Sequence, residues 1–322
     1  MKNNAKNSDM FCYVSEQMVV DLVRPEALQN VIENIFVEMS VQNARNFPVV
    51  REQLGYAGAV YGFKSGFDKT NLILGLKSGG YWPQNFEKGI ANHQSTVILF
   101  DADTGQLKAI VAGNRLTALR TAAASAISIK YLARETAETL AIYGAGGQSV
   151  FQIRAALAQR KFTKLMIANR TREAAEALAS QFVDEDLEIS VEGAEYATRH
   201  ADVLITVVSS WEPQIKSEWV QPGTHVVCMG TDTKGKQEVE TVLVARSQVF
   251  ADEITQVISI GECQHAYADG VLKAEDITPI GLVVSGAHRG RENDEKITLF
   301  DSTGVGLQDL AAAQFVLGLT SQ

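Results

Sequence analysis

Apolar positions along the chain change their period more than once. Between 15 and 42, "VVDLVRPEALQNVIENIFVEMS" places Leu28, Ile32, Ile35 and Phe36 at helical spacing and predicts one apolar helix face. Alternating, β-like stretches follow: "NFPVVRE", "GAVYGFKSG", "LILGLKSGGYW" and "STVILFDADTGQLKAIVAG". The last predicts a hairpin, two apolar runs around Asp103-Thr104-Gly105. From 116 the alanine-rich "LTALRTAAASAISIKYLA" reads as helix again.

A strand–helix–strand rhythm then sets in. "TLAIYG", "KLMIANR", "DVLITVVSS", "THVVCMG" and "SQVFAD" are short continuous apolar runs, with "QSVFQIRAALAQR" and "TREAAEALASQFV" as helices between the first three. Such strands predict a parallel sheet covered on both faces. The chain closes with a strand and a helix in "ITLFDSTGVGLQDLAAAQFVLGL", and the pattern leaves the packing of that helix open. The fold class is therefore α/β: a mixed α+β part first, then a doubly wound parallel sheet.

Composition changes this picture little. A chain of 322 residues predicts two domains, and 46% hydrophobic with 21% charged residues suits a globular protein. The net charge of −9 argues against a nucleic-acid partner, which requires a basic face. Cys12, Cys228 and Cys263 show no metal-ligand spacing, and the histidines form no HExxH-like cluster, so no metal is expected. Sparse, odd cysteines predict reduced thiols and a cytoplasmic location. The opening "MKNNAKNSDM" lacks the apolar segment of a signal peptide, and no run is long and apolar enough to span a bilayer.

Candidate chemistry begins at "YGAGGQS". An apolar strand stops at Gly144-Ala145-Gly146-Gly147, and a helix starts after Gln148 at Ser149. The Gly-x-Gly-x-x-Ser pattern suits a pyrophosphate at a helix N-terminus. A tight turn without ligand is the plainer alternative. At the end of the second strand, where NAD sites carry an acidic residue, stand Asn169, Arg170, Thr171 and Arg172. Guanidiniums favour a 2′-phosphate, so NADPH is preferred, with NADH possible; alternatively both arginines only solvate the next helix.

Asp232, just past the strand "HVVCMG", is placed as a proton donor or as a turn residue. Arg45, Lys77 and Arg120 are candidate anion-binding cations, and Arg120 among alanines suits a carboxylate. Lys64, Arg51 and Arg115 can be argued the same way, and each cation can equally serve a surface ion pair.

The ordered set "LGLKSGGYWPQN", "TVILFDADTGQLKAIVAG", "LTALRTAAASAIS", "YGAGGQS", "MGTDTKGKQEV" and "FDSTGVGLQDLAA" resembles the ornithine cyclodeaminase and mu-crystallin family over nearly the whole chain. That resemblance implies a Rossmann-type NAD(P)-binding domain, 119–299, inserted into a discontinuous α+β domain, 1–118 plus 300–322, which binds substrate and makes a homodimer. It implies that Arg45, Lys77 and Arg120 contact the substrate carboxylate and imine. Asp232 matches the family's acid/base. Gly144, Gly146, Gln148 and Ser149 match the pyrophosphate loop, Asn169 to Thr171 the ribose site, and Ser209 and Met229 the neighbourhood of the nicotinamide ribose.

The stretch between Arg45 and Lys77, with "GFKSGFDKTNLI", is longer than in mu-crystallin-like members. Gly147 replaces a larger residue, and Tyr81-Trp82 adds an aromatic pair beside Lys77. The implied reaction is reduction of an α-imino acid to an L-amino acid. Δ1-pyrroline-2-carboxylate, Δ1-piperideine-2-carboxylate and iminosuccinate are the acceptors considered. Redox-neutral ornithine cyclodeamination, alanine dehydrogenation and non-catalytic NADPH binding are the alternatives.

Overall fold

The computed structural model describes residues 11–320; the polar opening segment lies outside them. Packing divides the chain into two units. One holds the chain up to Val31, Val41–Thr117 and the chain from Gly306; the other holds Ile32–Ser40 and Ala118–Val305.

The first unit is built on seven strands: β1 Cys12–Val14, β2 Ala44–Asn46, β3 Val50–Gln53, β4 Val60–Asp68, β5 Ile73–Tyr81, β6 His93–Phe100 and β7 Leu107–Ala112. Their order is β1-β7-β6-β5-β4-β2, with β3 also on β4, and every pair except the parallel β1–β7 is antiparallel. The hairpin expected around Asp103 is β6–β7. Asp101 Oδ1 accepts from the Thr104 hydroxyl at 2.7 Å, and Gly105 takes φ 72° to close the turn.

The helix expected over 15–42 is two helices, Glu16–Leu22 and Pro25–Ser40. Pro25 explains the break, since the residue before a proline is pushed out of helical geometry.

Side chains alternate across a strand, so register assigns each to a face. Lys64 pairs with Lys77, Val97 pairs with both Lys77 and Val111, and Val111 pairs with Val14; these share one face. The C-terminal helix Gly306–Leu319 packs there: Asp309 meets Lys77 at 2.7 Å, and the Leu307 amide donates to Asn46 Oδ1 at 3.1 Å. The reverse face carries Tyr13, Phe63, Leu76, Ile98 and Ile110 by the same registers, with Tyr13 60% and Phe63 39% exposed.

The second unit has eight parallel strands: β8 Thr139–Tyr143, β9 Lys164–Ala168, β10 Glu188–Val191, β11 Val203–Thr206, β12 His225–Cys228, β13 Gln248–Ala251, β14 Ile277–Pro279 and β15 Thr298–Asp301. Their order is β10-β9-β8-β11-β12-β15-β13-β14. This is the doubly wound α/β arrangement, with interior strands β11 and β12 buried throughout, as their continuous apolar sequence requires. Ala141, Met166, Leu204, Val226 and Leu299 belong to its core. The boundary expected at 299/300 falls inside β15, which lies between β12 and β13, so 300–305 pack with this unit.

Candidate functional site

In an open parallel sheet, ligands sit beyond the carboxyl ends of the strands, where the strand order reverses. Here the order runs one way from β8 to β9 and β10, and the other way to β11 and β12. Four sequence-predicted groups follow these strands. Gly144 to Ser149 follow β8, Asn169 to Arg172 follow β9, Ser209 follows β11, and Met229 and Asp232 follow β12. Parallel pairing brings these ends to one edge of the sheet.

Gly144 has φ 120°, and a Cβ there would meet the Val207 carbonyl oxygen and Val208 Cγ1, both at 2.9 Å. Backbone conformation and space both demand glycine. Ser149 is buried, and its hydroxyl donates to the Gly144 carbonyl at 2.9 Å, fixing the turn to the helix Ser149–Leu157. In front of Gly146 and Gly147 nothing lies within 4 Å of an added Cβ. A depression of about 270 Å³ opens there, lined by Ala145, Gly146, Gly147, Val150, Ala174 and Leu178. The helix N-terminus contributes partial positive charge. The turn thus fits a dinucleotide: glycine where backbone must come close, open space beyond it, and a helix N-terminus beside it.

The two arginines after β9 separate. Arg172 pairs with Glu176 at 2.8 Å, one helical turn on. Arg170 is exposed and lies close enough to Tyr143 to act on its hydroxyl. Asn169 is engaged locally, its amide donating to the Thr171 carbonyl at 2.9 Å.

Asp232 is partly buried, and its Oδ1 accepts from Lys236 at 2.9 Å and from the Thr233 hydroxyl at 3.1 Å. Donors and a cation favour the charged carboxylate. Beneath this loop sit two carboxylates that sequence reading did not single out. Glu238 accepts from the Val208 and Gly230 amides, both at 2.8 Å, and so ties the segment after β11 to the segment after β12. Glu262 accepts from the Thr231 hydroxyl at 2.6 Å and from the Glu238 and Val239 amides. Both are buried, 0% and 1% exposed. Burial and the neighbouring Glu262 push Glu238 up to about 8, and burial raises Glu262 as well. The sequence signal was faint: Glu238 stands in the charged run "KGKQEVE", where a solvated turn is the ordinary reading.

Arg120 is 5% exposed. A Cβ on Gly304, itself at φ 68°, would come within 2.6 Å of its Nη1, so the guanidinium lies against a glycine. The Gly304 segment is pinned in turn by Asp252, which accepts from the Ser302 hydroxyl at 2.8 Å and the Gly304 amide at 2.9 Å. On the first unit Lys77 is buried and paired with Asp309.

Arg45 is the cation that the resemblance assigns to the substrate carboxylate. It sits opposite Phe67 in β4, on the reverse face from Lys64 and Lys77, exposed, with its guanidinium 5.4 Å from the Phe47 ring centroid. Arg51, opposite Gly62, shares the face of Lys64 and Lys77.

Among the described residues no cluster of His, Cys, Asp or Glu is arranged to hold a metal, and no helix is long and apolar enough to cross a membrane.

Comparison with known proteins agrees with this architecture. The chain is 49% identical over 306 residues to the iminosuccinate reductase of Paracoccus denitrificans, covering 95% of each chain. The crystal structure of that enzyme with NAD+ matches with a TM-score of 0.91 over 97% of this chain and 96% of that one. Thermococcus litoralis Delta(1)-pyrroline-2-carboxylate reductase, solved with NADH and L-proline, matches with a TM-score of 0.91 at 25% identity, covering 97% and 98%. An archaeal alanine dehydrogenase dimer with bound NAD matches with a TM-score of 0.90 at 31% identity, covering 97% and 96%. The model of the ornithine cyclodeaminase/mu-crystallin family matches residues 13–321, and the chain belongs to that family.

Proposed function

We propose that this protein is a nicotinamide-dependent oxidoreductase that reduces an α-imino acid to an L-amino acid, with iminosuccinate, giving L-aspartate, as the foremost acceptor. The observation that carries the reading is the sheet edge where the Gly144 turn and Asp232 follow strands of one parallel ladder. The 49% identity to an iminosuccinate reductase supports the acceptor.

A reduced nicotinamide bound over the Gly144–Ser149 turn would supply the hydride. The chain's own residues do the rest. Arg120, held against Gly304, offers forked donors to the α-carboxylate. On the first unit, Lys77, paired with Asp309 at 2.7 Å, is the other candidate cation for an anionic group. A protonated imine accepts hydride far more readily than a neutral one. Asp232, kept charged by Lys236 and Thr233, is the counter-ion of that protonated nitrogen. The proton stays on nitrogen, the carbon–nitrogen double bond becomes single, and the nitrogen regains its lone pair. Asp232 so acts by charge and placement, without having to hold a proton of its own.

Arg170 carries the cofactor choice. With Arg172 engaged by Glu176, one exposed guanidinium is left for a 2′-phosphate. An exposed charged contact is worth at most about 1 kcal/mol, so NADPH is preferred by less than about tenfold and NADH also serves. Arg170→Ala raises the Michaelis constant for NADPH and leaves that for NADH nearly unchanged; equal changes would discredit this assignment.

The open face of the first unit's sheet, with Tyr13 and Phe63, fits a homodimer contact, and the three free cysteines fit a cytoplasmic setting. The functional test is consumption of reduced dinucleotide with oxaloacetate plus ammonia, pyruvate plus ammonia, and Δ1-pyrroline-2-carboxylate. Net oxidation with stoichiometric L-amino acid is expected. Ammonia release from ornithine without net cofactor change would assign cyclodeamination instead.

A further inference from the structure

We infer that Gln264 is a positioning residue for the reaction: its side-chain amide sets the turn that carries Asp232 and Lys236. This rests on the role given to Asp232 above; the residue that places Asp232 is a separate claim.

The turn after β12 is closed by the Lys236 amide, which donates to the Thr233 carbonyl at 3.2 Å, with Gly235 at φ 90°. Other backbone groups of this turn are met from outside it. Gln264 Oε1 accepts from the Gly235 amide at 2.7 Å. Gln264 Nε2 donates to the Lys236 carbonyl at 3.2 Å and lies 3.4 Å from the Thr233 carbonyl. The same nitrogen donates to the Gly261 carbonyl at 2.9 Å, within its own segment. His265 Nε2 adds a contact of 3.1 Å to the Lys236 carbonyl. Gln264 is 7% exposed. A buried amide is costly unless both its oxygen and its N–H groups are bonded. Here one side chain meets that need largely on one turn, as donor and as acceptor.

Gln264 is itself held. Just before it, the Cys263 amide donates to Asp301 Oδ2 at 2.9 Å, at the end of β15. Glu262 accepts from the Thr231 hydroxyl before the turn and from the Glu238 and Val239 amides after it. Glu262 thus fixes both ends of the segment and Gln264 fixes its middle. The middle carries the charges. Lys236 Nζ meets Asp232 Oδ1 at 2.9 Å, so holding the Lys236 backbone holds the cation over the carboxylate. Side-chain amide, turn backbone, cation and carboxylate form one chain of contacts. Displacing a group by about 1 Å from its working position costs about 10²-fold in rate. A turn that presents a counter-ion therefore requires such a frame, and β12 alone does not supply it.

The experiment is a double-mutant cycle on the single-turnover rate of dinucleotide oxidation, with iminosuccinate generated from oxaloacetate and ammonia. It compares wild type, Gln264→Met, Asp232→Asn and the double variant. Gln264→Met keeps the length of the side chain and removes its donors and acceptor. It lowers the rate about 10- to 100-fold, with KM and dinucleotide affinity near those of wild type. In the Asp232→Asn background the same substitution costs less than about twofold, because no carboxylate is left to place. Gln264→Asn, which withdraws the amide by one methylene, shows a smaller loss with the same dependence on Asp232, and decides the claim if Gln264→Met does not fold. Dinucleotide affinity, measured on each variant, reports intact folding. Losses that multiply in the double variant, or a wild-type rate in the Gln264 variants, would overturn the role of Gln264. An Asp232→Asn variant as fast as wild type would instead overturn the role of Asp232 on which it rests.

Discussion

Arg120 owes its position to a residue with no side chain. Its guanidinium rests where a Cβ on Gly304 would stand, and Asp252 holds that segment through Ser302 and the Gly304 amide. Gly304→Ala should therefore act as a mild Arg120 variant. At φ 68° alanine is strained, and the guanidinium must shift by the width of a methyl group. The expected result is a Michaelis constant for the imino acid raised about tenfold, the scale of one weakened charged contact, with dinucleotide affinity retained. An unchanged constant would return Arg120 to a purely structural role. At this scale the sequence offered residue types and hid directions. Lys77, Arg120 and Asp232 could be singled out because a charge beside apolar or glycine-rich sequence is conspicuous. Arg45 was conspicuous for the same reason, yet its direction depends on the β2–β4 register, which pairs it with Phe67 and turns it away from Lys77. Asp309 and Glu238 looked like ordinary helix and turn charges. Their burial arises from what packs on them, and no local pattern encodes that.

Elements carry a second message. The loops after β11 and β12, which present Ser209, Met229 and Asp232, are joined through one buried carboxylate, Glu238, which rests on a second, Glu262. Cys228, Cys263, Asp301 and His265 are other titratable groups facing this pair. Two buried carboxylates cannot both ionise cheaply, so the pair keeps a proton into the neutral range, with Glu238 up to about 8. An unfolded glutamate loses its proton near about pH 4.3. The folded state thus binds more protons between those values. The stabilisation is complete below the unfolded value and is lost as pH rises through about 8. Thermal stability should fall between about pH 5 and pH 8, and Glu238→Gln should flatten that slope even though it lowers stability overall. Parallel curves for wild type and variant would exclude the pair as the source. Most elements were legible, because β8, β11 and β12 are continuous apolar runs and the β6–β7 turn has strong turn chemistry. The short edge strands β10 and β14 were not, since three or four residues at a sheet edge carry too little periodicity. The final helix is apolar nearly all round, so its sequence names no preferred face; its partner, the first unit's sheet, emerges from Asp309 and Leu307.

Across the whole molecule, an acidic chain of net charge −9 still buries cations, Lys77 in the first unit and Arg120 in the second. Global charge keeps such a protein soluble and is uninformative about a pocket, where local groups set the field. The doubly wound class was readable from strand–helix alternation alone, whereas the insertion of β15 between β12 and β13 is a long-range pairing that no window of sequence reveals. The central claim is that hydride passes from the reduced nicotinamide to the carbon of a carbon–nitrogen double bond, with Asp232 as counter-ion. Reduction of iminosuccinate with dinucleotide deuterated at the transferring position tests it most directly. The account predicts L-aspartate carrying one deuterium at its α-carbon, and an Asp232→Asn variant that binds the dinucleotide normally but turns over about 10²-fold more slowly, the scale of losing one placed electrostatic group. Product without the label, or an Asp232→Asn variant as fast as wild type, would contradict it.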